Sequence, residues 1–330
     1  MGQIFSQDLD PNEEPIGAAM EVRFLASGEK LTVLDGDEFQ GCSAKTVKQS
    51  LAARHGLTRF RQKLFWENGS EIADHEVFSS NLVAIQLVVM EFWPPDAEQD
   101  QKMISAVWEG DSVELEKLLK SPRDPNVVNK NGFTPLHDAA SSGQLESIRL
   151  LLEAGAKLEA RSTAIQWMAP LHLAARYGHF DVVRVLVEAG AVKDQLATGF
   201  GLTPMYFAAQ QGHLDIVRWL VEVGARIEPA AVAGFAPLHG AADGGRLDVM
   251  HFLLECGAKV DPKDAPFSPL YTAAHSGHLH IVRLLVESGA NYFQTSASGV
   301  SALDVASRQG HVEIVHFLSK LCQLVPVVHC

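Results

Sequence analysis

Five prolines recur at nearly constant spacing through the C-terminal two thirds of the chain. They are Pro135, Pro170, Pro204, Pro237 and Pro269, at intervals of 35, 34, 33 and 32 residues. No other feature restricts the fold as strongly, because a fixed period of about 20–50 residues marks a chain built by stacking one supersecondary unit. The stretch Asn131–Ala160, NGFTPLHDAASSGQLESIRLLLEAGAKLEA, shows that unit. Thr134 can cap a helix, and Pro135 suits its first turn, where no backbone donor is needed. Gly143 stands where that helix must stop. Leu145, Ile148, Leu151 and Leu152 then recur at helical spacing, and Gly155 closes the second helix. One unit is therefore helix, tight turn, helix and loop. After the fifth proline Ala302 takes its place, and before the first the run Lys102–Gly110 aligns without proline, with Ser112–Lys120 as its second helix. That makes seven units with two divergent ends, as expected where a terminal repeat faces water.

The recurring text is TPLHDAASSGQ, APLHLAARYGH, TPMYFAAQQGH, APLHGAADGGR, SPLYTAAHSGH and SALDVASRQGH. Each copy is followed by a helix such as FDVVRVLVEAGA. These units resemble ankyrin repeats, which implies an all-α helix-turn-helix solenoid over residues 101–320. The physics agrees. A lone helix pair cannot bury its apolar stripe, so units stack, and the Ala-Ala pairs let first helices approach closely.

Fourteen histidines invite a metal or catalytic reading. His137, His172 and His239 are the fourth residue of the TPLH-type motif, a hydrogen-bonding position in ankyrin repeats, and His179, His213, His278 and His311 follow the turn glycine. His275, His278 and His280 are spaced across a glycine in a way that does not form a helical zinc pair. No GxxxxGK[ST], HExxH, GxSxG or CxxC motif occurs. The expectation is a protein without metal or cofactor and without catalytic residues.

The resemblance places partner binding on loop tips and the outer edge of first helices. Two residues before each proline stand Phe133, Met168, Leu202, Phe235 and Phe267, with Trp167 and Phe200 close by. After the fourth motif residue come Asp138, Leu173 and Phe207, and Arg176, Tyr177, Gln210 and Gln211 precede the turns. An exposed apolar row with aromatics and arginine is what an interface uses for anchors. The competing reading is that these side chains fold back and stabilise the stack. The interface reading expects serine at 133, 168, 202 and 235 to abolish binding and leave the fold intact.

Residues 20–92 have another pattern. Glu21–Leu25 and Lys30–Leu34 alternate like the strands of a hairpin around Ser27-Gly28-Glu29. Ala44–His55 reads as a helix, Arg61–Trp66 as a strand and Val83–Val89 as a buried strand. The order indicates a small α+β domain. The hairpin MEVRFLASGEKLTVL, the helix TVKQSLAARHGL and the strands KLFWENG and VAIQLVV resemble ubiquitin-like (β-grasp) domains. The last strand runs into Glu91-Phe92-Trp93-Pro94-Pro95 without a terminal Gly-Gly, so the resemblance implies a built-in domain, not a conjugated tag. It also implies a docking patch of Phe65 and Val88, with Trp66 turned inward by strand alternation. Residues 93–100 read as a stiff linker.

The first 19 residues carry four acids and no base, and the whole chain has a net charge of −13. An acidic surface without a basic stripe argues against nucleic acid. Met1-Gly2-Gln3-Ile4-Phe5-Ser6 fits the N-myristoylation pattern at Gly2. One acyl chain gives only weak, reversible membrane association. Cys42, Cys256, Cys322 and Cys330 form no CxxC pair and suit reduced thiols in a cytoplasmic protein. Residues 321–330 form an apolar tail. The expected role is a monomeric interaction adaptor. Its repeat face selects a protein partner and its ubiquitin-like domain docks a second, in the ubiquitin–proteasome pathway by resemblance. The alternative is a regulatory inhibitor that masks an enzyme or transcription factor.

Overall fold

The computed structural model describes residues 19–24, 30–35, 39, 41–66, 68–78, 84–90, 96–121, 123–162, 167–197, 201–228, 235–262 and 265–324. They divide into two compact units, one built on the strands before Pro95 and the other on the helices after Asp96.

The first unit is a five-stranded sheet of order β2-β1-β5-β3-β4. Its strands are β1 (Ala19–Phe24), β2 (Lys30–Asp35), β3 (Gln62–Trp66), β4 (Glu71–Ile72) and β5 (Ala84–Val89). β1 pairs antiparallel with β2 and parallel with β5, while β3 runs antiparallel to both β4 and β5. A parallel pair needs a crossover, which helix α1 (Ala44–His55) supplies. Ser43 caps α1 by accepting from Thr46 N, and Gly56 ends it at φ 67°. The inward faces of sheet and helix make one core of Val22, Val47, Leu51, Leu64, Ile72, Phe78, Ile85 and Leu87. Trp66 packs on this core edge-to-face with Phe78, with ring centroids 5.6 Å apart. Two details depart from the sequence reading. Arg61 belongs to a short 3₁₀ turn, Arg59–Arg61, not to the strand, and β4 was too short to read from alternation.

The second unit contains seven helix pairs among the described residues. They are α2 (Ala97–Glu109) with α3 (Ser112–Lys120), α4 (Pro135–Ser142) with α5 (Leu145–Glu153), α6 (Pro170–Tyr177) with α7 (Phe180–Glu188), and α8 (Pro204–Gln211) with α9 (Leu214–Glu222). The last three are α10 (Pro237–Gly244) with α11 (Leu247–Glu255), α12 (Pro269–Ser276) with α13 (Leu279–Glu287), and α14 (Ala302–Gln309) with α15 (Val312–Leu324). The Ala-Ala pairs of α4, α6, α8, α10 and α12 have no exposed surface, so first helices stack almost backbone to backbone. Second-helix residues such as Ile148, Leu151, Val182, Val183 and Leu186 fill the space between repeats.

Both edges of the array differ from expectation. The linker expected over residues 93–100 ends by Asp96, whose carboxylate accepts from Glu98 N at 3.1 Å and Gln99 N at 3.4 Å and starts α2 at Ala97. An N-cap aspartate followed by good helix formers overrides the preceding prolines. At the other edge α15 continues past Lys320 to Leu324.

Candidate partner-binding site

Three sets of hydrogen bonds join successive repeats and consume most of the array's conspicuous polar groups. In the first, His137, His172 and His239 lie fully buried at the start of their helices. Each Nδ1 accepts from the backbone N–H three residues earlier, of Thr134, Ala169 or Ala236, at 3.1 Å. That fixes the tautomer: Nε2 carries the proton and donates to Met168 O (3.0 Å), Gln195 O (2.9 Å) or Phe267 O (2.9 Å). In the second, histidines after the turns bond back by Nε2 to the preceding first helix: His179 to Ser141 O, His213 to Arg176 O, His278 to Asp243 O and His311 to His275 O, at 2.9–3.1 Å. Arg246 takes this place in the fifth repeat through Nε to Gln210 O at 3.1 Å. The imidazole lies flat on the previous turn, and a Cβ on Gly143 would come within 2.5 Å of His179 Nδ1. Gly143 is thus required twice, for that contact and for its φ of 72°. In the third, Asn126, Glu159, Asp194, Glu228 and Asp261 accept from the backbone N–H of Lys157, Val192, Arg226, Lys259 and Asn291 at 2.7–2.9 Å.

The apolar row is corrected in part. Met168 is fully buried, and Leu173 and Phe207 nearly so; with Ala197 and Tyr206 they form a compact cluster. Phe133, Leu202 and Phe235 are half-buried and pack against it. Phe235 and Phe267 also contact each other, and Phe267 stacks on Tyr271 with centroids 4.7 Å apart. The tips fold back because their backbones pair: Ala197 and Leu202 form an antiparallel bridge, and Ser162 N donates to Met168 O at 3.1 Å. Serine at position 168 is therefore expected to cost about 3 kcal/mol, through a cavity and a buried hydroxyl. Chemical denaturation of Met168→Ser checks this, and unchanged stability would return Met168 to the surface.

Three aromatic side chains in or just before the first helices face solvent. Trp167 is 61% exposed, Tyr177 54% and Trp108 65%. Trp108 escaped the sequence reading because the first repeat lacks proline, yet it holds the repeat position of Arg176 and Gln210. Arg176, Gln210 and Gln211 are half-buried. Arg176 lies over the Phe207 ring at 6.0 Å. Gln210 Nε2 donates to Asp243 Oδ2 at 2.6 Å, and Ser276 Oγ donates to Asp243 Oδ1 at 2.8 Å. Asp138 is 6% exposed and accepts from Asn129 Nδ2 at 3.2 Å; burial pushes its carboxyl up to about 6.

Trp167 has a further peculiarity. It stands three residues before its proline, where other repeats place Gly132 and Gly201, and Gly299 stands likewise before Ala302. Those glycines have φ of 71°, 66° and 75°, and Trp167 has φ 54°. Among the described residues it is the one non-glycine with positive φ. A left-handed conformation costs an L-residue about 1–2 kcal/mol.

In the first unit, Phe65 and Val88 are half-buried and share the sheet face opposite Leu64 and Leu87. Phe65 pairs with Gln86 and Lys63 with Val88, so the four side chains form one continuous patch. Gly2 and Phe200 lie outside the described residues. Among the described residues no helix is long and apolar enough to cross a membrane.

Three copies of a family model described as ankyrin repeats match residues 103–197, 171–264 and 265–325. The chain belongs to the ankyrin-repeat family. Its array is similar to the human ASB11 ankyrin repeat domain, at 28% identity and a TM-score of 0.54, covering 64% of this chain and 96% of that one. A putative ankyrin repeat protein of Fowlpox virus (strain NVSL) is 31% identical over 131 residues, 38% of this chain and 32% of the viral protein. The 2-5A-dependent ribonuclease of Mus musculus is 40% identical over 60 residues, 18% of this chain and 8% of the ribonuclease. The chain thus spans a minor part of these two relatives' length, and the ankyrin likeness concerns the repeats.

Proposed function

We propose that the chain is a non-enzymatic adaptor whose ankyrin repeats hold a protein partner through exposed aromatic anchors. The observation that carries this reading is Trp167, a large apolar side chain set in a strained conformation at an exposed tip where glycine would be relaxed. Strain kept at a side chain that stays largely exposed points to a use outside the molecule. Trp and Tyr are also the side chains interfaces prefer as anchors. Asp138 holds the Trp108 indole by accepting from it, while Arg176 over Phe207 and Gln210 on Asp243 tie neighbouring repeats together.

The first unit is read as a ubiquitin-like domain that docks a second protein, from the ubiquitin–proteasome pathway. The strand order β2-β1-β5-β3-β4 with a parallel β1–β5 pair and helix α1 packed on the sheet supports this, as does the Phe65–Val88 patch on the opposite face. Acylation of Gly2 would add weak membrane association, and intact mass from a eukaryotic host tests it.

Affinity capture with the full chain tests the adaptor. Trp167→Gly is expected to raise stability by about 1 kcal/mol through relief of strain. It should lose the ankyrin-bound partner, while proteins captured through the sheet remain. Phe65→Ala should do the reverse. Retention of every partner by both variants would overturn the reading.

A further inference from the structure

The outer sides of α13 and α15, second helices of neighbouring repeats, enclose an open groove of about 580 Å³. Leu279, Val312 and Phe317 give it an apolar lining, and Val312 is 75% exposed. Arg283, His316 and Lys320 stand around these residues, with Glu313 as the one acid. The Arg283 guanidinium lies over the Phe317 ring at 5.3 Å while the side chain stays exposed. Its flat face thus covers carbon, and its N–H groups remain at hand for an acceptor.

The charge of this groove departs from the pattern of the repeats. Helices α5, α7, α9 and α11 carry an acid at their second and ninth residues: Glu146 and Glu153, Asp181 and Glu188, Asp215 and Glu222, Asp248 and Glu255. In α13 the second residue is His280, and in α15 the ninth is Lys320. Both exchanges fall on the two helices that wall the groove, in a chain of net charge −13. The helix dipole favours a base only in the last turn, and α15 runs on from Lys320 to Leu324, so the dipole does not account for Lys320.

Apolar surface framed by bases matches a ligand that sets apolar anchors between carboxylates, and an amphipathic helix presents both along one face. Residues 325–330, VPVVHC, contain no acidic side chain and would leave the bases unmatched. We propose that the groove between α13 and α15 binds an acidic amphipathic helix of a protein partner. This site lies on second helices and does not rest on the Trp167 reading.

The test pans a phage library of helical peptides, randomised along one face, on the full chain. Selected helices are expected to combine leucine or phenylalanine with aspartate or glutamate. Lys320→Glu, which restores the acid of the earlier repeats, should weaken their binding by roughly tenfold or more, through a lost attraction and a new repulsion. Peptides whose flanking acids are changed to lysine should bind the Lys320→Glu chain better than the unaltered one. Val312→Ser should weaken binding severalfold, with unchanged melting temperature because the side chain it trims is largely exposed. No helix selected, selected helices without acids, or binding indifferent to both Lys320→Glu and Val312→Ser would overturn the inference. It would also fall if peptides bound only after deletion of residues 325–330, which would make the chain's own tail the occupant. Self-association seen by light scattering and abolished by Val312→Ser would assign the groove to a second copy and overturn it equally.

Discussion

Acidification from pH 6.5 to pH 4 is expected to strip the repeats of much of their stability, beginning well above the pH at which ordinary carboxylates titrate. Burial holds the imidazoles of His137, His172 and His239 down to about 4, against an ordinary 6.5. The unfolded chain takes up these protons near 6.5, and the folded chain only near 4. Stability contributed by the neutral rings is therefore complete above about 6.5, falls as pH drops to about 4, and levels off below. Each ring contributes a slope of about 1.4 kcal/mol per pH unit in that window. Asp138 works in the opposite sense. Its raised value penalises folding above about 6, and the penalty is relieved as pH falls toward 3.8. The net slope is that of two groups, roughly 3 kcal/mol per pH unit. The structural reason is specific: a protonated ring cannot accept the backbone N–H at Nδ1, and the ring bridges two segments through Nε2. Urea midpoints at pH 7.0, 5.5 and 4.5 should fall steeply in sequence. A flat profile would mean that the rings protonate in place.

Alanine at Gly244 should be among the most damaging single exchanges in the array, at about 3 kcal/mol. Helices α8 and α10 approach so closely that a Cβ on Gly244 would lie 1.9 Å from Gln210 O, and one on Gly240 2.5 Å from Tyr206 O. Both obstacles are backbone carbonyls, so neither can swing aside. Relief requires the helices to part, which would also stretch the Gln210–Asp243 bond and the bond of Arg246 to Gln210 O. Thermal melting of Gly244→Ala measures the cost, and Gly240→Ala should cost less, about 2 kcal/mol. An unchanged melting temperature for both would show that the junction slides freely.

Much of this protein is legible in its letters. Helix α1 begins and ends at the predicted residues because Ser43 and Gly56 are strong local signals. The regular helix pairs follow from prolines, turn glycines and leucine spacing, all local to one repeat. The margins are harder to read for equally local reasons: Asp96 caps a helix directly after Pro94-Pro95, and the two-residue β4 has too little alternation to detect. The candidate site was harder. Met168 and Tyr177 both belong to the third repeat and both read as available, yet one is fully buried and the other half exposed.

The sequence by itself determined the repeat, its period and its number of copies, because each depends on contacts spanning a few residues, and the histidines that hold it are legible from their fixed place in each copy. It even contained the sign of the strain at Trp167, since Gly132, Gly201 and Gly299 occupy the same place. Only the tertiary structure decided which apolar residues remain outside. The hydrogen bonds that join repeats reach across 23 to 38 residues. Whether a tip folds under or stands out depends on the neighbouring repeat against which it packs, and burial is a property of that pair of surfaces, not of either alone.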